Sequence, residues 1–259
     1  MHVCKSERLN TKDQSLKTGK GFTLIELSIV IVIIGLIVAG VVGGQALVKQ
    51  AKLRSITSEF NKIQLAINAF RLEYNALPGD MNNAHSYWGN SCHTDSNICN
   101  GDGNNRLATW NTDEAFMFWK HLSLAGILDG NYSGESLGNP DPFEGNINTM
   151  ESDYNGALYH INGASYYMNN WIGLYVSLGA KRQNDRPVVA MLTPKEAFNI
   201  DKKVDDGKPG LGKYWNGRSY LGYNTGAWAW NNCISSADES GEYLINISIK
   251  GCRMLYYLD

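Results

Sequence analysis

From 27 to 48 the chain reads LSIVIVIIGLIVAGVVGGQALV, with no charge in the run. A helix needs about 20 apolar residues to cross a bilayer core, so this segment is long enough. The pattern then changes. Ile56, Phe60, Ile63, Ile67, Phe70 and Tyr74 recur at spacings of four and three, with Lys52, Arg54, Glu59, Lys62 and Arg71 between them. That is one apolar stripe on an amphipathic helix. Asn75-Ala76-Leu77-Pro78-Gly79-Asp80 ends it, because proline disfavours helix at the residue before it and glycine favours a turn. A helix over 22–75 would be about 80 Å long at 1.5 Å per residue.

Beyond it the text is loop-rich. Residues 80–112 are dominated by Asn, Gly, Ser and Asp. Asp113 or Thr112 then offers an N-cap to EAFMFWKHLSLAGIL, a helix stopped near Gly130, with Phe116, Trp119, Leu122 and Leu124 facing the core. Candidate strands follow at 157–161, 172–178, 187–192 and 243–249. In the last, Leu244, Asn246, Ser248 and Lys250 alternate with Tyr243, Ile245, Ile247 and Ile249, which is strand period. Residues 194–202 predict a further short helix. The expected fold class is α+β: a long N-terminal transmembrane and amphipathic helix packed on a small antiparallel sheet with loop-rich decorations.

Charge adds a third segment to this picture. The chain has 259 residues and a net charge of −2, too little basic field to suggest nucleic acid. The charge is uneven: Lys5, Arg8, Lys12, Lys17 and Lys20 outnumber Glu7 and Asp13 in the first 21 residues, which reads as a targeting segment. Lys and Arg on the N-terminal side of the apolar run place that side in the cytoplasm and the rest outside. The expected organisation is a leader over 1–21, a helix over 22–75 whose part 22–48 lies in the membrane and 49–75 is amphipathic, and an extracytoplasmic globular domain over 76–259.

Glu26 breaks the apolar rule at the head of the run. An ionisable group inside lipid is costly and marks a functional candidate; its bland alternative is a place at headgroup level, or favourable interaction with the helix N-terminus. The string around it decides between them. Lys20-Gly21-Phe22-Thr23-Leu24-Ile25-Glu26, behind a basic leader and ahead of an apolar helix, resembles the processing site of type IV prepilins and type II secretion pseudopilins. The resemblance is strong over about 17–50 and fades beyond. It implies that a prepilin peptidase cuts after Gly21, that Phe22 is N-methylated, and that Glu26 pairs with a neighbouring subunit's terminal amine. It also implies other pilin or pseudopilin subunits and an inner-membrane assembly platform as partners, a single-pass inner-membrane location, and then a pilus or pseudopilus filament. The physics agrees: glycine lets a protease approach the backbone, the new amine is cationic, and two poorly solvated opposite charges attract far more strongly than in water. An ordinary secretory signal has a shorter apolar stretch with its cleavage site after it, and an uncleaved anchor leaves the GFTLIE string as coincidence.

The remaining chemistry is sparser. Of five cysteines, Cys4 lies in the leader, which leaves Cys92, Cys99, Cys233 and Cys252. Outside the cytoplasm disulfides are the expectation, and sequence order suggests Cys92–Cys99 and Cys233–Cys252, one of three connectivities. A zinc reading of Cys92, His93 and Cys99 lacks the usual short spacing. Asp201, Asp205 and Asp206 form an acidic turn with Gly207. Calcium takes such oxygen donors, and the resemblance to type II pseudopilins, some of which hold calcium in a C-terminal loop, makes them its candidate ligands; the spacing is not that of an EF-hand. Asp102 in NGDGNN is a weaker candidate. Tyr214, Trp215, Tyr220, Tyr223, Trp228 and Trp230 crowd one stretch, either as core or as a surface for glycan or a secreted substrate. No hydrolase or nucleotide-binding motif is present in the sequence, and His85, His121 and His160 read as ordinary surface or hydrogen-bonded residues. A structural subunit is therefore the expected function and not an enzyme, with a pilin-anchored binding module as the alternative.

Overall fold

The computed structural model describes residues 21–107, 113–163, 173–216, 232–236 and 240–258. The aromatic positions Tyr220, Tyr223, Trp228 and Trp230, the leader with Cys4, and the N-cap candidate Thr112 lie outside the described residues. The chain divides into two compact units, Met1–Val48 and Lys49–Asp259. Helix α1, Leu24–Tyr74, runs through both.

In the first unit α1 is uncovered on every side. Leu27, Ile31, Ile34, Val38 and Val42 are all at least half exposed. A helix hydrophobic all round has its natural surroundings in lipid or among other helices, and this one is long and apolar enough to cross a membrane.

In the second unit α1 is one-sided. Ile56, Glu59, Phe60, Ile63, Ala66, Ile67 and Phe70 are buried, the same spacing of fours and threes read in the sequence. The helix ends on Asn75, which takes a positive φ of 50° and donates its N–H to Arg71 O; asparagine tolerates this left-handed position better than most side chains.

The buried stripe packs against an antiparallel sheet. Strands β1 (Leu158–Asn162), β2 (Leu174–Arg182), β3 (Asp185–Val189), β4 (Tyr214–Asn216) and β5 (Met254–Leu258) are ordered β1-β2-β5-β4, and β3 folds back on the far end of β2. The register is Leu158↔Gly179 to Asn162↔Tyr175 on one side of β2 and Leu174↔Leu258 to Leu178↔Met254 on the other. At Gly179 β3 comes close to β2: a Cβ there would sit against the carbonyl oxygen of Pro187. Phe60 is the hub between helix and sheet, its ring 5.4 Å from Tyr159 of β1, 5.7 Å from Tyr214 of β4 and 5.1 Å from Tyr256 of β5. The fold is thus α+β.

Among the described residues, four more α-helices decorate this frame. Helices α2 (Ala84–Trp88) and α3 (Ser96–Cys99) are single turns within the stretch that reads as loop. Helix α4 (Asp113–Leu124) buries Phe116, Trp119 and Leu122. Helix α5 (Pro194–Val204) opens with a capping box between Thr193 and Glu196, and Lys49 of α1 reaches Glu196 at 2.6 Å.

Two sequence expectations differ from the structure. Residues 243–249 do not form a strand: 245 and 246 lie in a turn, and only Tyr243 makes a bridge, to Ile234. The last strand is instead β5, in which Met254, Leu255, Tyr256 and Leu258 are all buried. A strand covered on both faces has no alternation to read.

Candidate functional site

Gly21 and Phe22 precede α1 in irregular, exposed backbone, and no atom lies within 4 Å of where a Cβ on Gly21 would stand. Thr23 is the residue before the helix. Glu26 Oε2 accepts hydrogen bonds from Thr23 N at 2.8 Å and from Thr23 Oγ1 at 2.8 Å, while Glu26 N donates to Thr23 Oγ1 at 3.3 Å. This is a capping box, two unpaired helix-start donors satisfied by each other's side chains. The carboxylate that interrupts the apolar run therefore closes the start of its own helix, within four residues of Phe22. The sequence carries this signal as Thr23-x-x-Glu26.

Residues 16–42 match a family model described as the prokaryotic N-terminal methylation motif. This is the signature of type IV prepilins and pseudopilins, and it makes the chain prepilin-like. No curated protein and no solved structure matches the chain. The motif with the long apolar helix fits a single-pass inner-membrane protein, and it implies assembly with other pilin subunits and handling by a prepilin peptidase.

The other candidate groups lie in the second unit. Cys92 is bonded to Cys99 and Cys233 to Cys252. His93 does not join the first pair: its Nε2 contacts Glu135 Oε1 at 2.5 Å. The histidine beside that disulfide is His121, fully buried on α4. Its Nδ1 accepts the Gly79 N–H at 2.9 Å, its Nε2 donates to Cys99 O at 2.9 Å, and Cys92 Sγ is 3.8 Å from Nε2. Burial pushes its pKa down to about 4, so at neutral pH it is an uncharged strut between the end of the α1 turn and the cystine loop. His160 is also buried. Among the described residues neither of its ring nitrogens has a hydrogen-bond partner, and Phe143 meets it edge-on at 5.2 Å.

The loop over 79–107 is held by Asp80, a buried residue that the sequence marks only as part of the turn ending α1. Its carboxylate accepts N–H groups from Gly103 at 2.8 Å, Asn104 at 3.1 Å and Asn105 at 2.7 Å. Burial raises its pKa to about 6, with Asp102 adding to the rise.

Asp201, Asp205 and Asp206 do converge, with carboxylate oxygens within 4.8 Å of one another. Each already closes a local turn. Asp201 accepts from Tyr243 Oη at 2.6 Å and Gly207 N at 3.1 Å, Asp205 from Tyr214 N at 2.9 Å, and Asp206 from Lys208 N at 2.8 Å. Burial lifts the Asp201 pKa to about 7.

Tyr214 and Trp215 of the aromatic stretch are buried in the core. A last functional candidate was not read from the sequence: Glu59 is buried on the sheet-facing side of α1. It accepts from Ser152 Oγ at 2.5 Å, Tyr159 Oη at 2.6 Å and Asp153 N at 3.1 Å. Those partners lie far along the chain, which is why Glu59 reads locally as one more solvent-facing charge.

Proposed function

We propose that this chain is a structural subunit of a type IV pilus or a type II secretion pseudopilus, inserted with its leader in the cytoplasm, cut after Gly21 and methylated on Phe22. The observation that carries the proposal is the placing of an exposed Gly21–Phe22 bond directly ahead of a capped, uncovered apolar helix with one carboxylate at its head. Removal of the leader leaves an amine on Phe22, cationic at neutral pH. Glu26 is the group that meets the amine of a neighbouring subunit. Each charge left alone in an apolar surrounding is strongly unfavourable, so the pair fixes the axial register of an incoming subunit. The inner-membrane assembly platform acts on the same segment.

Two substitutions test the two halves. Gly21→Leu retains the leader, seen as a heavier species by intact mass. Glu26→Leu is cut and inserted normally but is lost from filaments. The same mature mass from wild type and Gly21→Leu would overturn the processing site, and normal filament yield with Glu26→Leu would overturn the pairing. The decisive single measurement is the identity and methylation of the N-terminal residue in protein from its native host.

A calcium ion on Asp201, Asp205 and Asp206 belongs to the same proposal, since a hard cation prefers converging oxygen donors on a turn. Millimolar calcium should raise the melting midpoint of the wild type and leave Asp206→Asn unchanged; equal midpoints with and without calcium in the wild type would remove it.

A further inference from the structure

Residues 244–250, Leu-Ile-Asn-Ile-Ser-Ile-Lys, are written as a strand and do not fold as one. β-branched residues at every second position suit a pleated, half-covered surface. In the structure Leu244 N donates to Cys233 O at 2.9 Å, Ile245 N to Tyr243 O at 2.9 Å and Ile247 N to Leu244 O at 2.9 Å. Among the described residues the N–H groups of Asn246, Ser248, Ile249 and Lys250 have no hydrogen-bond partner, and no carbonyl from 245 to 250 accepts one. Two of the apolar members are uncovered, Ile245 at 48% and Ile249 at 52% exposed, while Leu244 and Ile247 are half-buried.

Both ends of the segment are pinned. Tyr243 is buried, bridges to Ile234 and donates its hydroxyl to Asp201. Gly251 and Cys252 donate their N–H groups to Leu192 O, and Cys252 is bonded to Cys233. What lies between is a short, strand-competent stretch with free backbone groups, held at the surface. Such a stretch is a template for an added strand.

We infer that this segment is a self-pairing edge, and that its occupant is the same segment of a second copy of the chain, added antiparallel. The sequence is its own complement in that arrangement. With Ile247 opposite Ile247 of the second copy, Ile245 faces Ile249 and Asn246 faces Ser248, so one face of the ribbon is a row of isoleucines. Directly opposed β-branched pairs of this kind stabilise sheets. Charge agrees: Lys250 falls opposite Leu244 of the copy, on the same face as that copy's exposed Glu242 and diagonal to it. The two turn hydrogen bonds are exchanged for ladder bonds, and the contact is isologous, the same patch on both copies. It is thus distinct from a head-to-tail contact along a filament axis and ties subunits sideways. The inference rests on the reading of the chain as a subunit that meets its own copies, but not on where the leader is cut.

The test is oxidative cross-linking of the full-length chain in its membrane, in a Cys4→Ser background, with one added cysteine at a time. Ile247→Cys should give a disulfide-linked homodimer. Asn246→Cys and Ser248→Cys should cross-link when mixed and far less when each is alone. Uncross-linked chain at all three positions, in variants that keep both native disulfides and the parent melting curve, overturns the inference. Cross-links to a different protein overturn it as well. Should an added cysteine scramble the native pairs, Ile247→Lys gives a second reading: the detergent-solubilised wild type sediments as a dimer and this variant loses that species, whereas an unchanged sedimentation profile counts against self-pairing. Because leader removal is read separately from the mature mass, a failed cross-link leaves the processing proposal standing, and a retained leader does not explain a failed cross-link.

Discussion

Glu59 holds three donors that come from a β-strand and the loop before it. Its replacement by leucine leaves the buried Ser152 hydroxyl and the buried Tyr159 phenol without this acceptor, each costing about 1–3 kcal/mol, and frees the N–H of the exposed Asp153. Glu59→Leu should therefore lower unfolding free energy by roughly 3 kcal/mol or more, measured by denaturant titration, and Glu59→Gln by less because one acceptor remains. His121 makes a pH-dependent counterpart. Its folded-state pKa of about 4 lies below the ordinary value of 6.5. Between those values the unfolded chain binds a proton that the folded chain refuses, so this contribution to stability is full above about 6.5 and falls as pH drops toward 4, by roughly 3 kcal/mol. Asp80 and Asp201, raised to about 6 and about 7, act in the opposite direction, losing stability as pH rises through those values. A difference measurement separates them. His121→Phe leaves Gly79 N–H and Cys99 C=O unpaired and should be less stable than wild type at pH 7 by about 2–4 kcal/mol. That gap should narrow steadily toward pH 4 in thermal melts, and a gap independent of pH would rule out the titration. Neither residue was legible as a site: a buried carboxylate and a buried imidazole are defined by partners distant in the chain, and local pattern holds no record of them. Gly21, Phe22 and Glu26 stand out in the sequence because the motif that carries their proposed roles is local.

At the scale of elements, the legible ones are those whose signal is periodic and whose ends carry their own caps. The fours and threes from Ile56 to Phe70 give the buried face of α1 directly. Helix α5 is announced by Thr193-Pro194-Lys195-Glu196, a proline at the first turn and a capping box around it. Thr193→Ala should cost about 1 kcal/mol, visible as a lower melting midpoint, through loss of the Thr193 side-chain bond to Glu196 N. An unchanged midpoint would show that Lys49 alone holds Glu196 in place. One physical reason accounts both for the missing strand signal at β5 and for the strand signal over 243–249. Period two reports a strand with one wet face, so a strand buried on both faces lacks it, and a wet segment can show it with no neighbour to pair with.

The molecule as a whole consists of an uncovered apolar rod and a unit with its own core. The sequence separated these by composition alone, since an uncharged run and an Asn- and Gly-rich domain have little in common. It did not give the order of strands, which depends on pairings between residues as far apart as Leu174 and Leu258. Cys233 and Cys252 bind the last stretch of chain to the unit just before β5 enters the middle of the sheet. Closing a loop of that length stabilises the fold by about 3 kcal/mol on the chain-entropy estimate. The double substitution Cys233→Ser and Cys252→Ser should lower stability by that order in reversible unfolding of the detergent-solubilised chain, and β5, with its neighbours β2 and β4, should show the greatest rise in amide exchange. Equal exchange throughout the sheet would place the strand's anchorage elsewhere.

The grip of Glu59 and Phe60 has a mechanical meaning. A helix resting on a sheet through greasy contacts alone can creep along its axis under load, since such contacts have no direction. A carboxylate sunk into three donors, with an aromatic wedge one residue on, acts as a dowel. Tension applied to α1 is then passed to the strands in shear, at one level, before the remaining contacts begin to slip.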